Sequence, residues 1–302
     1  MRYDAAIVTN RRAGRVSLPA AAVLALVVAA CRTPDAAPAV AVVQFSTSKA
    51  RVSPGSPVDF TYEFDVAPGA AISGDYRVFT QIVDADGDGV PWEDDHAPAV
   101  PTSQWKPGET VKYTRTTFVP MTAPLGDVSV EVGLYNGDDR LPLTTDPAPA
   151  KPPHGRAYRV GTLQIVPLAE GNLFLIRRSG WYPSEGAWSW TQKTAVFGLE
   201  TNPHRDLLLY LHYAGMPAML GGQPQQVTVS AGRQVLDRFT VNSTDPAIRR
   251  IPVPASALGA ADPPEQFSLE VDRTFVPASQ PGGSQDTRTL GLRVFHYFVE
   301  AR

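Results

Sequence analysis

Two tandem β-sandwiches are what this 302-residue sequence predicts, and three observations predict them. Short β-rich runs alternate apolar and polar residues with period two. Pro-Gly and Asn-Gly pairs punctuate the runs. Beyond residue 40, no stretch shows the apolar repeat of an amphipathic helix. Period two is the mark of a strand whose successive side chains point to opposite sheet faces, so the chain reads as all-β.

The first half supplies runs at 41–46, 58–64, 76–84, 110–118, 128–135 and 156–166. In the second of these, Val58, Phe60, Tyr62 and Phe64 alternate with Asp59, Thr61 and Glu63. Pro54-Gly55, Pro68-Gly69, Pro107-Gly108 and Asn136-Gly137 provide turns between runs. The proline-rich stretch 146–155 reads as a loop, because 156–166 is strand-like and completes the first sheet. Strands at this density suit an Ig-like sandwich over residues 41–167.

Residues 168–302 repeat the style, with runs at 172–176, 193–199, 207–213, 226–230, 234–240, 247–253, 266–271 and 289–299. The last is the strongest, and strict alternation places Leu290, Leu292, Val294, His296 and Phe298 on one face. Eight such runs predict a jelly-roll-like sandwich.

Ahead of both sandwiches stands an export signal. Arg11, Arg12 and Arg15 precede an apolar run at 16–30, interrupted by Ser17 and Pro19. A spanning helix needs about 20 apolar residues, so this run reads as a signal peptide covering residues 1–30. It ends in Val28-Ala29-Ala30-Cys31, which resembles the bacterial lipobox, with Cys31 as the residue that becomes lipidated. Cys31 is the only cysteine, so no internal disulfide can form. Residues 31–40 form an Ala- and Pro-rich tether to the first strand. The expected address is the bacterial cell envelope. Arg32, rather than Asp, after the cysteine favours the outer membrane, facing the periplasm or the surface.

Charge narrows the partners. The whole chain carries a formal −3, of which the first thirty residues contribute +3, so the exported part carries −6. No basic stripe is present, which argues against nucleic acid. The expected partners are the membrane, through the lipid anchor, and a polysaccharide or another envelope protein.

Several motifs carry a resemblance. Gly180-Trp181-Tyr182-Pro183, Trp188-Ser189-Trp190-Thr191, Phe275-Val276-Pro277 and Asp286-Thr287-Arg288-Thr289-Leu290-Gly291 resemble a β-sandwich module of bacterial envelope proteins. The same module is appended to some envelope glycosyltransferases. Tyr76-Arg77-Val78-Phe79, Asp84-Ala85-Asp86-Gly87, Asp94-Asp95-His96, Trp105-Lys106-Pro107-Gly108 and Gly133-Leu134-Tyr135 are similar to its Ig-like companion domain. The chain thus resembles bacterial envelope lipoproteins with tandem β-sandwich domains. The resemblance implies the fold and no particular activity.

Three local patterns offer chemistry. Asp84, Asp86, Asp88, Val90 and Asp95 have the spacing of a twelve-residue calcium loop, in which carboxylates at alternate positions converge on a hard cation. No helix follows and Pro91 stiffens the loop, so solvated acids on a hairpin tip are the simpler expectation; no cofactor is required, and Ca²⁺ is the one the spacing admits. Asp94-Asp95-His96 invites an acid/base or metal reading, but adjacent loop residues define no geometry, and neither HExxH nor GxSxG occurs. Trp181, Tyr182, Trp188 and Trp190 concentrate aromatic surface within ten residues. Exposed, they would stack on sugar rings; buried, they are core, the commoner arrangement in jelly rolls. Asp286 and Arg288 are expected to form a structural ion pair.

With no catalytic constellation, the expected function is non-enzymatic: a membrane-anchored lipoprotein binding a glycan or an envelope protein. The alternative is a structural or assembly module, calcium-stabilised through the acidic loop. A polysaccharide hydrolase using Glu93, Asp94 and Asp95 ranks third.

Overall fold

Alternation organises the first sandwich from its centre outward. Val58, Phe60, Tyr62, Phe64 and Val66 are buried while Asp59, Thr61, Glu63 and Asp65 between them are not, along one ten-residue strand, Pro57–Val66. In the computed structural model, residues 37–84, 89–150, 153–168, 173–282 and 284–302 are described. They contain twenty strands, five 3-10 turns and no α-helix, so the chain is all-β. Among the described residues no helix is long and apolar enough to cross a membrane.

Ten strands belong to the first half: Ala41–Thr47 (β1), Arg51–Val52 (β2), Pro57–Val66 (β3), Arg77–Val83 (β4), Trp92–Glu93 (β5), Thr110–Phe118 (β6), Gly126–Asn136 (β7), Asp139–Leu141 (β8), Leu143–Thr144 (β9) and Tyr158–Ile165 (β10). One sheet runs β6-β3-β1-β9. The other runs β2-β10-β7-β4-β5, with β8 paired to β7. The expected run at 110–118 coincides with β6, and β10 pairs antiparallel with β7. Phe60, Tyr62 and Phe64 meet Trp92, Trp105, Val130, Val132 and Leu134 in one buried core. Each fully buried aromatic of this kind contributes on the order of 2–3 kcal/mol of hydrophobic stabilisation.

The second half repeats the plan with Leu175–Arg177 (β11), Trp181–Ser184 (β12), Ser189–Thr191 (β13), Thr194–Leu199 (β14), Leu207–Ala214 (β15), Gln225–Ala231 (β16), Gln234–Val241 (β17), Ala247–Val253 (β18), Phe267–Val271 (β19) and Arg293–Ala301 (β20). Its sheets run β11-β14-β19-β16-β17 and β12-β13-β20-β15-β18. Phe197, Phe267, Leu209, Leu211 and Val294 lie in the core between them.

One expectation needs correction here. Leu290, Leu292 and Val294 are buried, but the alternation does not continue through His296 and Phe298. A register shift opposite His212 and Tyr213 leaves Phe295 as an extra residue between the pairs His212↔His296 and Tyr213↔Val294. An extra residue reverses the parity of everything beyond it. His296 therefore turns outward and Val299 inward, where it is 2% exposed.

That outer face meets the first sandwich. Phe118, at the end of β6, lies parallel to the rings of both His212 and His296. Arg250 of β18 donates to Asp59 of β3 and to Thr116 of β6, and Lys49 pairs with Glu300 at 2.6 Å.

Candidate functional site

A groove of about 980 Å³ opens where these faces meet. One wall comes from the first sandwich: Arg77 at the start of β4, the segment from Trp92 to Ala97, and Thr114 to Phe118 of β6. The opposite wall is His212 of β15, His296 of β20, and Asp245, Pro246 and Ile248 around the start of β18.

The first wall is fixed by a half-buried polar network around buried His96. Arg115 grips Asp94 through two bonds, Nε to Oδ2 at 3.2 Å and Nη2 to Oδ1 at 3.1 Å, the two-pronged geometry that suits guanidinium and carboxylate. His96 is 4% exposed and is held at both ring nitrogens. Nδ1 lies 3.0 Å from the Asp94 carbonyl, which can only accept, so Nδ1 carries the proton; Nε2, 2.8 Å from the Tyr113 hydroxyl, then accepts from it. Burial pushes the His96 pKa down to about 4, against the partial compensation of its bond to Asp94, so the ring is neutral at pH 7. Tyr62, Tyr113 and His96 pack ring against ring behind this wall, and the Tyr62 hydroxyl shares a 2.9 Å bond with Thr80. Burial raises the pKa of both tyrosines.

The second wall carries a histidine pair. The Nδ1 atoms of His212 and His296 stand 3.4 Å apart with their rings 9° from parallel. Burial lowers both pKa values, that of His212 to about 4 with help from its partner and from Arg115. The groove is thus lined by guanidinium, carboxylate, hydroxyl and imidazole groups. That set offers both hydrogen-bond donors and acceptors along the two walls.

The residues singled out from sequence are distributed as follows. Cys31 lies outside the described residues, as do Asp86 and Asp88. Asp84 accepts the Gly89 N–H at 3.3 Å and donates its own N–H to the Gly89 carbonyl at 3.2 Å; Val90 is 44% exposed, and the carbonyl of exposed Asp95 accepts from Arg77. Among the described residues no three acids, histidines or cysteines stand together as metal ligands do. Glu93 and Asp95 are exposed, and Asp94 is committed to Arg115.

The four aromatics do not form one platform. Trp181 packs on Phe197 and Tyr297 of the second core and donates its indole N–H to the Val196 carbonyl at 2.8 Å. Trp190 is buried with Phe275 and Leu290 in a satellite cluster, its N–H reaching Glu185 at 3.3 Å. Tyr182 and Trp188 flank that cluster, half-buried. Tyr182 donates to the Thr289 carbonyl at 3.1 Å under the Arg288 guanidinium. Arg288 also pairs with Glu185 and Asp286, both at 2.7 Å, and its bonds hold the Asp286 carboxyl down to about 2.

Sequence reasoning did not bring Phe118, Arg115, Asp245, His212 and His296 together. Its one available signal was two histidines at positions expected to be strand.

The fold and the groove define a class: a two-sandwich all-β protein with an open polar site at the junction. No protein-family model matches the sequence, and no curated protein does. Among solved structures, the alkylpurine DNA glycosylase AlkC of Pseudomonas fluorescens, bound to DNA containing an abasic site analog, is similar at TM-score 0.26 and 14% identity, over 43% of this chain and 31% of its own. The CBM51-2 and INT domains of Clostridium perfringens ZmpB are similar at TM-score 0.23 and 8% identity, over 60% of this chain and 38% of their own. The chain spans well under half the length of either neighbour, and at these TM-scores neither bears on what it does.

Proposed function

We propose that this chain is a non-enzymatic envelope protein, anchored through Cys31, that holds a glycan in the groove between its two sandwiches. The supporting observation is the groove itself. Its 980 Å³ lies at the upper end of the range for ligand sites, and its walls carry both donors and acceptors, from strands and from the loops beside them. Sugar hydroxyls need such paired donors and acceptors, and they tolerate bridging water where the fit is loose. The tryptophan cluster is the weaker candidate, because Trp190 is buried and the indole N–H of Trp181 is occupied.

A glycan array probed with the full chain tests this. Arg77→Gln, Asp245→Asn and His296→Ala are expected to abolish retention, whereas Trp188→Ala is expected to keep it. No retention of any glycan by the wild type across a broad panel would sink the proposal.

A second reading, a rigid structural module, is favoured by the ties between the sandwiches: Phe118 on the histidine pair, Arg250 to Asp59 and Lys49 to Glu300. Calcium at Asp84, Asp86, Asp88, Val90 and Asp95 belongs to this reading. A rise in melting temperature on adding Ca²⁺ after chelation would support it.

A further inference from the structure

Beside the junction, on a surface separate from the polar groove, the fold leaves an apolar groove of about 160 Å³ open. Met121, Leu168 and Phe174 line it at 67%, 41% and 50% exposure. Single exposed apolar side chains are ordinary; three converging on one groove mark a contact surface. The Pro54-Gly55 turn backs the groove. Gly55 has φ +78°, a left-handed conformation that favours glycine, and the Met121 sulfur lies 2.8 Å from where a Cβ would stand.

A second groove of about 310 Å³ shares Leu173, Phe298 and Val299 with the first and adds Lys49, Arg51 and Arg205 at the rim. Lys49 is neutralised by Glu300. Among the described residues lining this groove, Glu300 is the acid, and it also accepts from Tyr210 at 2.7 Å. Among the described residues, neither Arg51 nor Arg205 has an ion-pair partner. Protruding apolar side chains therefore stand beside two unneutralised guanidinium groups.

We propose that this surface docks on an anionic lipid bilayer, with Met121, Leu168 and Phe174 entering the headgroup layer and Arg51 and Arg205 meeting lipid phosphates. Charge complementarity selects the bilayer: unpaired guanidinium groups gain most from an anionic plane, and apolar side chains gain from the acyl boundary just beneath it. An enclosed acyl chain is a poor fit to a groove of this volume. The inference rests on the anchored-envelope reading in one respect: an anchor would supply proximity, and this surface would set orientation.

The test uses residues 31–302 carrying Cys31→Ser, so that neither the basic and apolar segment at 1–30 nor an acyl anchor contributes. It is sedimented with vesicles of phosphatidylglycerol and phosphatidylethanolamine, and separately with phosphatidylcholine vesicles. Pelleting is expected with the anionic vesicles only. Combining Arg51→Gln with Arg205→Gln is expected to weaken partitioning about thirtyfold, roughly fivefold per charge. Combining Met121→Ser with Phe174→Ser is expected to abolish it, with an unchanged melting temperature because both side chains are exposed. No pelleting, equal pelleting on both vesicle types, or full retention by the variants would overturn the proposal. So would self-association without vesicles that the same substitutions remove, which would assign the surface to a second copy of the chain. Acyl labelling of the wild type separates the two ideas. A chain not acylated at Cys31 whose surface still binds vesicles keeps this inference and loses the anchor. An acylated chain whose Cys31→Ser form never pellets does the reverse.

Discussion

His212 and His296 stand directly opposite each other on β15 and β20, with Nδ1 atoms 3.4 Å apart beneath the ring of Phe118 from the other sandwich. Packing against Phe118 and against each other desolvates both rings, which opposes the charged form and lowers both pKa values, that of His212 to about 4. Protonating the pair would place two positive charges within 4 Å, beside Arg115, at the contact that joins the sandwiches.

The sign of the pH dependence follows. A histidine whose folded pKa is about 4, for His212 and likewise for buried His96, binds fewer protons than its unfolded form between about pH 6.5 and 4. Stability is full above the upper limit and falls as pH drops through that window. The melting temperature is expected to be lower at about pH 5 than at about pH 7.5. His212→Asn is expected to reduce that dependence without removing it, because His96 keeps its own contribution, and thermal melts across the range check it. A profile independent of pH would mean that desolvation does not lower the pKa values of His212 and His96.

Phe118 is expected to be the main tie between the sandwiches. It is 7% exposed, and its ring centroid lies 4.9 Å from that of His296. Phe118→Ala should cost about 3 kcal/mol, the usual range for emptying an aromatic site. Arg250→Ala, which removes a half-exposed ion pair to Asp59, should cost less than about 1 kcal/mol. Urea denaturation of both variants measures the contrast. Equal costs would show that the junction is held by charge rather than by packing.

How far the sequence could be read depends on the range over which each feature is determined. The centre of β3 was legible, because Val58, Phe60, Tyr62 and Phe64 alternate cleanly and the strand partners do not alter that alternation. The end of β20 was not. Its apolar pattern runs on through Leu292 and Val294 to His296 and Phe298, and nothing local marks Phe295 as the extra residue. The groove was illegible for a related reason. The two histidines of its second wall are 84 residues apart, and Arg115 and Phe118 reach them from a different sandwich. Asp94 and His96 stand together in the sequence, but Arg115 and Tyr113, which determine their chemistry, come from β6. In the tryptophan cluster the residue types were visible and their burial was not, since β12 and β13 fold Trp190 inward while leaving Trp188 at the edge.

The wall of the groove gives a third prediction. Asp94 is 11% exposed, and Arg115 is its charge partner. Replacing Arg115 by Met keeps most of the aliphatic stem and strands the carboxylate, at an expected cost of about 3 kcal/mol. Adding Asp94→Asn to Arg115→Met is expected to recover part of that loss. A chemical-denaturation cycle of the two single variants and the double variant measures the coupling. A coupling of zero would show that the two bonds contribute nothing in solution.

The two tryptophans of the satellite cluster are expected to respond differently to loss of their indole N–H. Trp190 donates to Glu185, so Trp190→Phe removes a hydrogen bond to a charged group and should cost about 1–2 kcal/mol beyond any change in packing. The Trp188 Nε1 is buried and has no acceptor among the described residues. Trp188→Phe keeps an aromatic ring against Phe295 and removes a donor that satisfies nothing, so its cost should be near zero. Urea midpoints for the two variants decide the matter. A cost at Trp188 equal to that at Trp190 would mean that its indole N–H is engaged in solution, and Trp188 would then return as a candidate ligand contact alongside the groove.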